Sequence, residues 1–281
     1  MIAEALDKLK GIQFNGINIT NFRYADDAVL AAYSKQKLQV MLDKLSDTCK
    51  NYGMAINVKK TKVMVVSKRG KIKCQVTLDN KTLEQVSRYK YLGSWISDDA
   101  KCVEEIRTRI ALAKEAFWKN KELLRGNIRP RTKLKILNCY IFSVLNYGCE
   151  CWTWNKATLK KIDAFEQWCY RRILKISWKD KVKNDEVLDR IQTRMHFKKD
   201  MKKRKLEYAG HVLRGSSGRT HLVLLEDKVC GKKSRGKPRL TWIKNITDWT
   251  KIDSYGKIKR AAENRNEWRT IAVNLLKEDD T

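Results

Sequence analysis

The chain has 281 residues, and its 61 Lys and Arg against 32 Asp and Glu leave a formal net charge of +29. An excess of that size goes far beyond what solubility needs and points to a polyanionic partner, nucleic acid before a membrane surface. No apolar run reaches about 18 residues, so no transmembrane helix is expected. The start Met1-Ile2-Ala3-Glu4 lacks the basic-then-apolar layout of a secretory signal. Eight cysteines are scattered with no Cys-x-x-Cys pair, which fits reduced thiols in a nuclear or cytoplasmic interior better than a disulfide framework.

In chain order, residues 1–10 read as the end of a helix with Ile2, Ala5, Leu6 and Leu9 on one face. Gly11 and Gly16 punctuate the way into two strand-like apolar runs, 17–22 and 28–33, which flank Tyr24-Ala25-Asp26-Asp27. Two adjacent carboxylates at a two-residue turn suit the turn geometry of Asp and attract hard divalent cations through oxygen ligands. The alternative is an ordinary solvated Asp-Asp turn. Ser34 is placed to cap a helix carrying Leu38, Leu42, Leu45, Cys49 and Tyr52 at helical spacing, with Gly53 at its end. Residues 54–66 follow, their second half reading as a buried strand. An extended stretch over 71–83 then leads to Tyr89-Lys90-Tyr91-Leu92-Gly93-Ser94-Trp95-Ile96. Hairpin, helix, strand, hairpin is an α+β layout.

The stretch Phe22-Arg23-Tyr24-Ala25-Asp26-Asp27-Ala28-Val29-Leu30 resembles the metal-binding hairpin of reverse transcriptases, specifically those of LINE-type (non-LTR) retrotransposons. The element order resembles their palm, with Gly53, Asn57, Lys60 and Thr61 at the motif after the hairpin and Tyr91-Leu92-Gly93 at the primer-gripping turn. The resemblance implies that Asp26 and Asp27 ligate Mg²⁺ (or Mn²⁺) in the complete enzyme. It implies that Lys60 is a candidate proton donor to the leaving pyrophosphate, and that Tyr24, Tyr91, Leu92 and Gly93 lie against nucleic acid. An RNA template and a DNA primer are the implied partners. The competing reading of Lys60 is a basic residue on a solvated loop.

Beyond Asp98 the pattern turns helical. Val103, Ile106, Ile110, Ala113, Phe117 and Leu124 follow 3–4 spacing, and Pro130 opens a helix buried through Leu134, Leu137, Tyr140, Ile141, Val144 and Leu145. A third helix runs near Leu159, Ile162, Phe165, Cys169, Ile173 and Ile176. Three such helices make a small bundle, in the position of the family's thumb. Trp152, Trp154, Trp168 and Trp178 are candidates to stack on bases, though core filling is the more usual use of such residues. The charge run 198–205, with Lys202, Lys203, Arg204 and Lys205, precedes a helical Gly210-His211-Val212-Leu213-Arg214. The Gly-rich basic stretch 231–239, with Arg235, Lys237 and Arg239, is suited to lie along phosphates. A last helix carries Ile258, Ala262, Trp268, Ile271, Val273 and Leu276. The segments Gly-His-Val-Leu-Arg and Arg-Gly-Lys-Pro-Arg-Leu-Thr-Trp resemble those that close many elements of the same group. Cys149-Glu150-Cys151 has the wrong spacing for a zinc knuckle, and no zinc site is expected.

The expected division is therefore 1–97 as the C-terminal part of a palm, 98–195 as a thumb-like bundle, and 196–281 as a basic nucleic-acid-binding region. Polymerase chemistry of this type also needs a carboxylate from a strand before the hairpin, and only about twenty residues precede it here. The expectation is a polymerase fragment, inactive alone and lacking an N-terminal partner region; the alternative is a non-catalytic nucleic-acid-binding remnant.

Overall fold

The computed structural model describes residues 2–14, 16–67, 70, 72–216, 218–226 and 240–278. It mixes helices with short strands and divides into two compact units. One comprises the chain up to Ala100 together with the helix Arg219–Glu226; the other comprises Lys101–Gly218 and the C-terminal helices. The helical bundle and the C-terminal helices fall within one unit.

The first unit is organised around the helix Lys35–Asn51. Ser34 caps it as expected, its Oγ accepting from the Lys37 N–H at 3.3 Å. Leu45, Met41 and Cys49 pack with Ala5 and Leu6 of the N-terminal segment. Leu42 turns toward a second cluster with Val63, Val76, Leu78 and Leu83. The expected face holds except at Tyr52, which is exposed and donates its hydroxyl to Glu4 at 3.0 Å.

The strands form five two-stranded sheets among the described residues. Ile12–Phe14 pairs with Ile17–Ile19, and Asn21–Tyr24 with Asp27–Leu30, both antiparallel. The apolar run 17–22 is thus split between two hairpins. Lys62–Val63 pairs in parallel with Glu84–Gln85, while the stretch expected to be simply extended folds back as Thr77–Leu78 against Lys81–Thr82. Arg88–Tyr91 and Ser94–Ser97 close the series.

The second unit holds the larger core, running from Ile106 and Phe117 through Leu137, Trp152, Phe165 and Tyr170 to Met201. The helix Val103–Lys119 carries a buried ion pair, Arg109 Nε to Glu105 Oε1 at 2.6 Å. Pro130 opens the helix Pro130–Ile136, which widens into a π-helical stretch, Leu137–Phe142. That extra residue per turn shifts the phase, so Leu137 and Ile141 are buried while Tyr140 is exposed, against expectation. Asn155 caps the helix Lys156–Ile173 with a reciprocal pair of bonds to Thr158. The single C-terminal helix expected from periodicity is two, Tyr255–Glu263 and Arg265–Glu278, broken at Asn264. Among the described residues no helix is long and apolar enough to cross a membrane.

Candidate functional site

In the first unit, Tyr24 and Asp27 are opposite each other in the ladder, leaving Ala25 and Asp26 as the turn. Ala25 has φ +51°, placing a left-handed residue at the first turn position, the arrangement of tight hairpins whose twist matches their strands. Asp26 is therefore a turn residue, whereas Asp27 is the first residue of the returning strand; the sequence reading had both at the tip. Both carboxylates are exposed, and neither has an ion pair or side-chain hydrogen bond among the described residues. Tyr24 is 67% exposed beside them. Within the hairpin 21–30 only Asn21, Val29 and Leu30 are partly covered, and Phe22 is open.

Two adjacent uncompensated carboxylates offer oxygen ligands to a hard cation, which takes six or more. Among the described residues no group of three or more His, Cys, Asp or Glu side chains converges to hold a metal ion. The residues present supply part of one donor set and do not amount to a two-ion centre.

Lys60 sits on an exposed loop built on Asn57. Its N–H donates to Asn57 O at 3.2 Å and Oδ1 at 3.1 Å, and the Thr61 N–H and hydroxyl both donate to the same carbonyl at 2.9 Å. The Lys60 ammonium makes no ion pair with Asp26 or Asp27. Tyr91 and Ser94 flank a second two-residue turn, Leu92-Gly93, with φ +46° and +80°. Two positive φ values in succession define a type I′ turn, which Gly93 adopts freely and Leu92 does not. Leu92 and Gly93 are exposed and Tyr91 is half-buried.

In the second unit, Lys202, Lys203, Arg204 and Lys205 lie on the helix Phe197–Leu213 and face different ways. Lys203 and Arg204 are exposed, Arg204 donating to Asn146 O at 3.3 Å; the Lys202 ammonium is 5.9 Å from the Trp249 ring centroid. Lys205 corrects the expectation of a continuous phosphate-binding run, because it is wholly buried. Its Nζ donates to Trp152 O at 2.7 Å and Asn245 Oδ1 at 2.9 Å, beneath the rings of Trp154, Trp242 and Trp249. Burial pulls its pKa down to about 7, and the nearby Cys149 thiol, pushed up to about 12 by its own burial, brings no compensating charge. A neutral amine has two hydrogens for those two acceptors. The signal was visible: Phe197, Met201, Lys205 and Ala209 recur every four residues, so this lysine stands on the apolar stripe.

The described residues of the closing motifs make structural contacts. Gly210 and Arg214 bind the C-terminal helices, Arg214 donating to Ala262 O at 2.8 Å. Thr241 caps the helix Trp242–Thr250, and Trp242 Nε1 donates to Glu150 O at 2.7 Å. Of the four tryptophans singled out, Trp152 and Trp154 are core, Trp168 is half-buried and Trp178 is 85% exposed. Arg235, Lys237 and Arg239 lie outside the described residues.

Residues 1–96 match the family described as reverse transcriptase (RNA-dependent DNA polymerase). The chain is also 28% identical to a Caenorhabditis elegans protein named as transposon-derived, over 92% of this chain and 97% of that one. No solved structure matches it.

Proposed function

We propose that this chain is a nucleic-acid-binding portion of a LINE-type reverse transcriptase, comprising the end of the palm, the thumb and a basic C-terminal region. The observation that carries the reading is the Tyr24-Ala25-Asp26-Asp27 hairpin, its two carboxylates exposed and without an ion pair among the described residues, inside the stretch that matches reverse transcriptases. In the reading, Asp26 and Asp27 contribute to a Mg²⁺ or Mn²⁺ site completed by further ligands, Tyr24 and the Tyr91-Leu92-Gly93 turn lie along the primer, and Lys60 serves the leaving group. RNA template and DNA primer are the partners, bound largely through phosphate contacts given the net charge of +29.

The net charge of +29, which calls for a polyanionic partner whether or not chemistry follows, supports a second reading, a binding protein without catalysis. Primer extension on an RNA template and salt-dependent binding test the two together. Nucleic-acid affinity that falls steeply with salt is expected, with a slope of about −0.9 per phosphate neutralised on duplex DNA. Extension by the chain alone is expected to match that of the Asp26→Ala, Asp27→Ala double variant. Salt-insensitive binding would overturn both readings, and extension above that control would establish a complete polymerase.

A further inference from the structure

The helix Lys156–Ile173 ends at Arg171 and Arg172, and the chain then makes a short 3-10 turn, Trp178–Asp180, before the helix Asn184–Ile191. The turn is braced from several directions. Asp180 Oδ2 accepts from the Ser177 N–H at 2.6 Å, and Ser177 Oγ accepts from the Lys179 N–H at 3.4 Å. Arg171 Nη2 donates to Val182 O and to Asn184 Oδ1, each at 2.8 Å, fastening the outgoing strand to the helix. Lys175 and Lys181, on either side of the turn, are held at φ +60° and +50°, a conformation lysine seldom adopts. Such unfavourable backbone persists only where its surroundings over-determine it, and it concentrates at ligand-binding sites.

What this frame presents is the Trp178 ring, 85% exposed, in a unit that buries Trp152, Trp154 and Trp268 almost completely. Trp178 and Trp168 line a cleft of about 670 Å³ whose charged residues are Arg171, Arg172, Lys181 and Lys183, with no carboxylate among its lining residues. The Asp180 carboxylate is engaged by the turn's own backbone; Asp185 and Glu186 stand just beyond, on the following helix. Trp168 stacks on Phe165 at 5.9 Å and meets Trp118 edge-on, and the Arg172 guanidinium lies 5.7 Å from both indole rings. One wall is thus anchored in the core, the other is an exposed aromatic face, and every charged residue of the lining is a cation.

We propose that this cleft holds an unpaired segment of a nucleic acid, one base stacked on Trp178 and the adjoining phosphates on Lys181, Lys183 and Arg172. The proposal rests on the nucleic-acid-binding reading and adds a place and a strand type to it. A bare π-face beside fixed cations is the combination that takes single strands with little sequence preference. A duplex keeps its bases stacked inside and offers that ring nothing. The same aromatic and arginine surface would serve a protein partner, but four cations without an acid favour a polyanion.

The test uses the full chain with labelled oligothymidylate, oligouridylate and a duplex, each titrated over the same series of salt concentrations. Trp178→Ala is expected to weaken single-strand binding about tenfold and leave duplex binding unchanged, with Trp178→Phe retaining most of the affinity. Lys181→Ala with Lys183→Ala should flatten the salt dependence on single strands. Thermal unfolding of each variant checks that this exposed site has been altered without loss of the fold. Equal losses on single strand and duplex, or no loss on either, would overturn the proposal. Unchanged nucleic-acid affinity with lost self-association would assign the cleft to a protein contact instead. A wild-type chain that binds no nucleic acid would overturn the broader reading as well.

Discussion

Gly210 lies directly beneath the indole of Trp268: a Cβ built on the glycine falls 2.7 Å from both Cδ1 and Nε1 of that ring. The same helix also holds the indole in place, since its Nε1 donates to Leu206 O, one turn earlier, at 2.8 Å. The glycine is thus required by close approach between helices. Gly210→Ala is expected to destabilise the protein by about 1–3 kcal/mol despite alanine's better helix propensity. Denaturant unfolding measures it; a stability gain would show that Trp268 can move aside.

Lys205 makes stability depend on alkaline pH. Its folded pKa of about 7 lies below the ordinary lysine value of 10.5, so between those values the unfolded chain binds the extra proton. Stability should therefore rise as pH increases from about 7 towards 10.5, by at most about 1.4 kcal/mol per pH unit. Lys205→Met should abolish that rise, although it leaves Trp152 O without its buried donor. Urea titrations across this range, wild type against variant, check the difference in slope.

Glu166 acts at the other end of the scale. The fully buried carboxylate accepts from Tyr170 Oη at 2.7 Å, from the His196 N–H at 3.0 Å and from the Phe197 N–H at 3.3 Å, closing the start of the helix Phe197–Leu213. Burial raises its pKa above the ordinary 4.5, against those hydrogen bonds, so the folded form holds the proton more tightly. Its contribution to stability is then greatest at acid pH and declines as pH rises through the window above 4.5. Glu166→Gln should flatten that decline. Glu166→Ala, which strands three donors, should cost about 2–4 kcal/mol at neutral pH, read by thermal or denaturant unfolding.

The carboxylates at the Tyr24–Asp27 hairpin make a third kind of prediction. Asp26→Asn keeps the shape of the turn and removes one of two exposed charges, so weak Mn²⁺ binding should fall while nucleic-acid affinity holds or rises slightly. Paramagnetic relaxation of water protons reports the metal. Equal Mn²⁺ binding in wild type and variant would show that the hairpin carries no ligand set of its own.

What could be read from sequence was local. Ser34 and Gly53 mark helix ends through bonds made within a turn, Pro130 through its fixed φ and missing N–H, and the structure places all three as expected. The break before Arg265 was equally local and was passed over: Asn264 Oδ1 accepts from the N–H groups of Asn266 and Glu267, and Asn-x-x-Glu is a capping pattern. Tyr140 was misplaced because a π turn leaves no mark in hydrophobic spacing. Lys205 and Trp178 reversed their apparent roles for a different reason. Charge assigns lysine to the surface and size assigns tryptophan to the core, whereas the acceptors that hold Lys205 inside come from 40 and 53 residues away. The site hairpin was legible as four residues, but the exposure of Phe22 and Tyr24 on it was not.

The five ladders of the first unit, each with only two strands, have one more consequence. Among the described residues none of these pairs gains a third strand, and a pair of strands on its own is marginal in water. Opening one ladder breaks few bonds and disturbs little packing, so backbone hydrogens in 21–30 should trade with solvent early and independently of the other hairpins. Those beneath Ile162, Cys169 and Met201, locked into a single large core, should exchange last and together. The two aspartates thus stand on the part of the chain that can rearrange most cheaply around an arriving ion or strand.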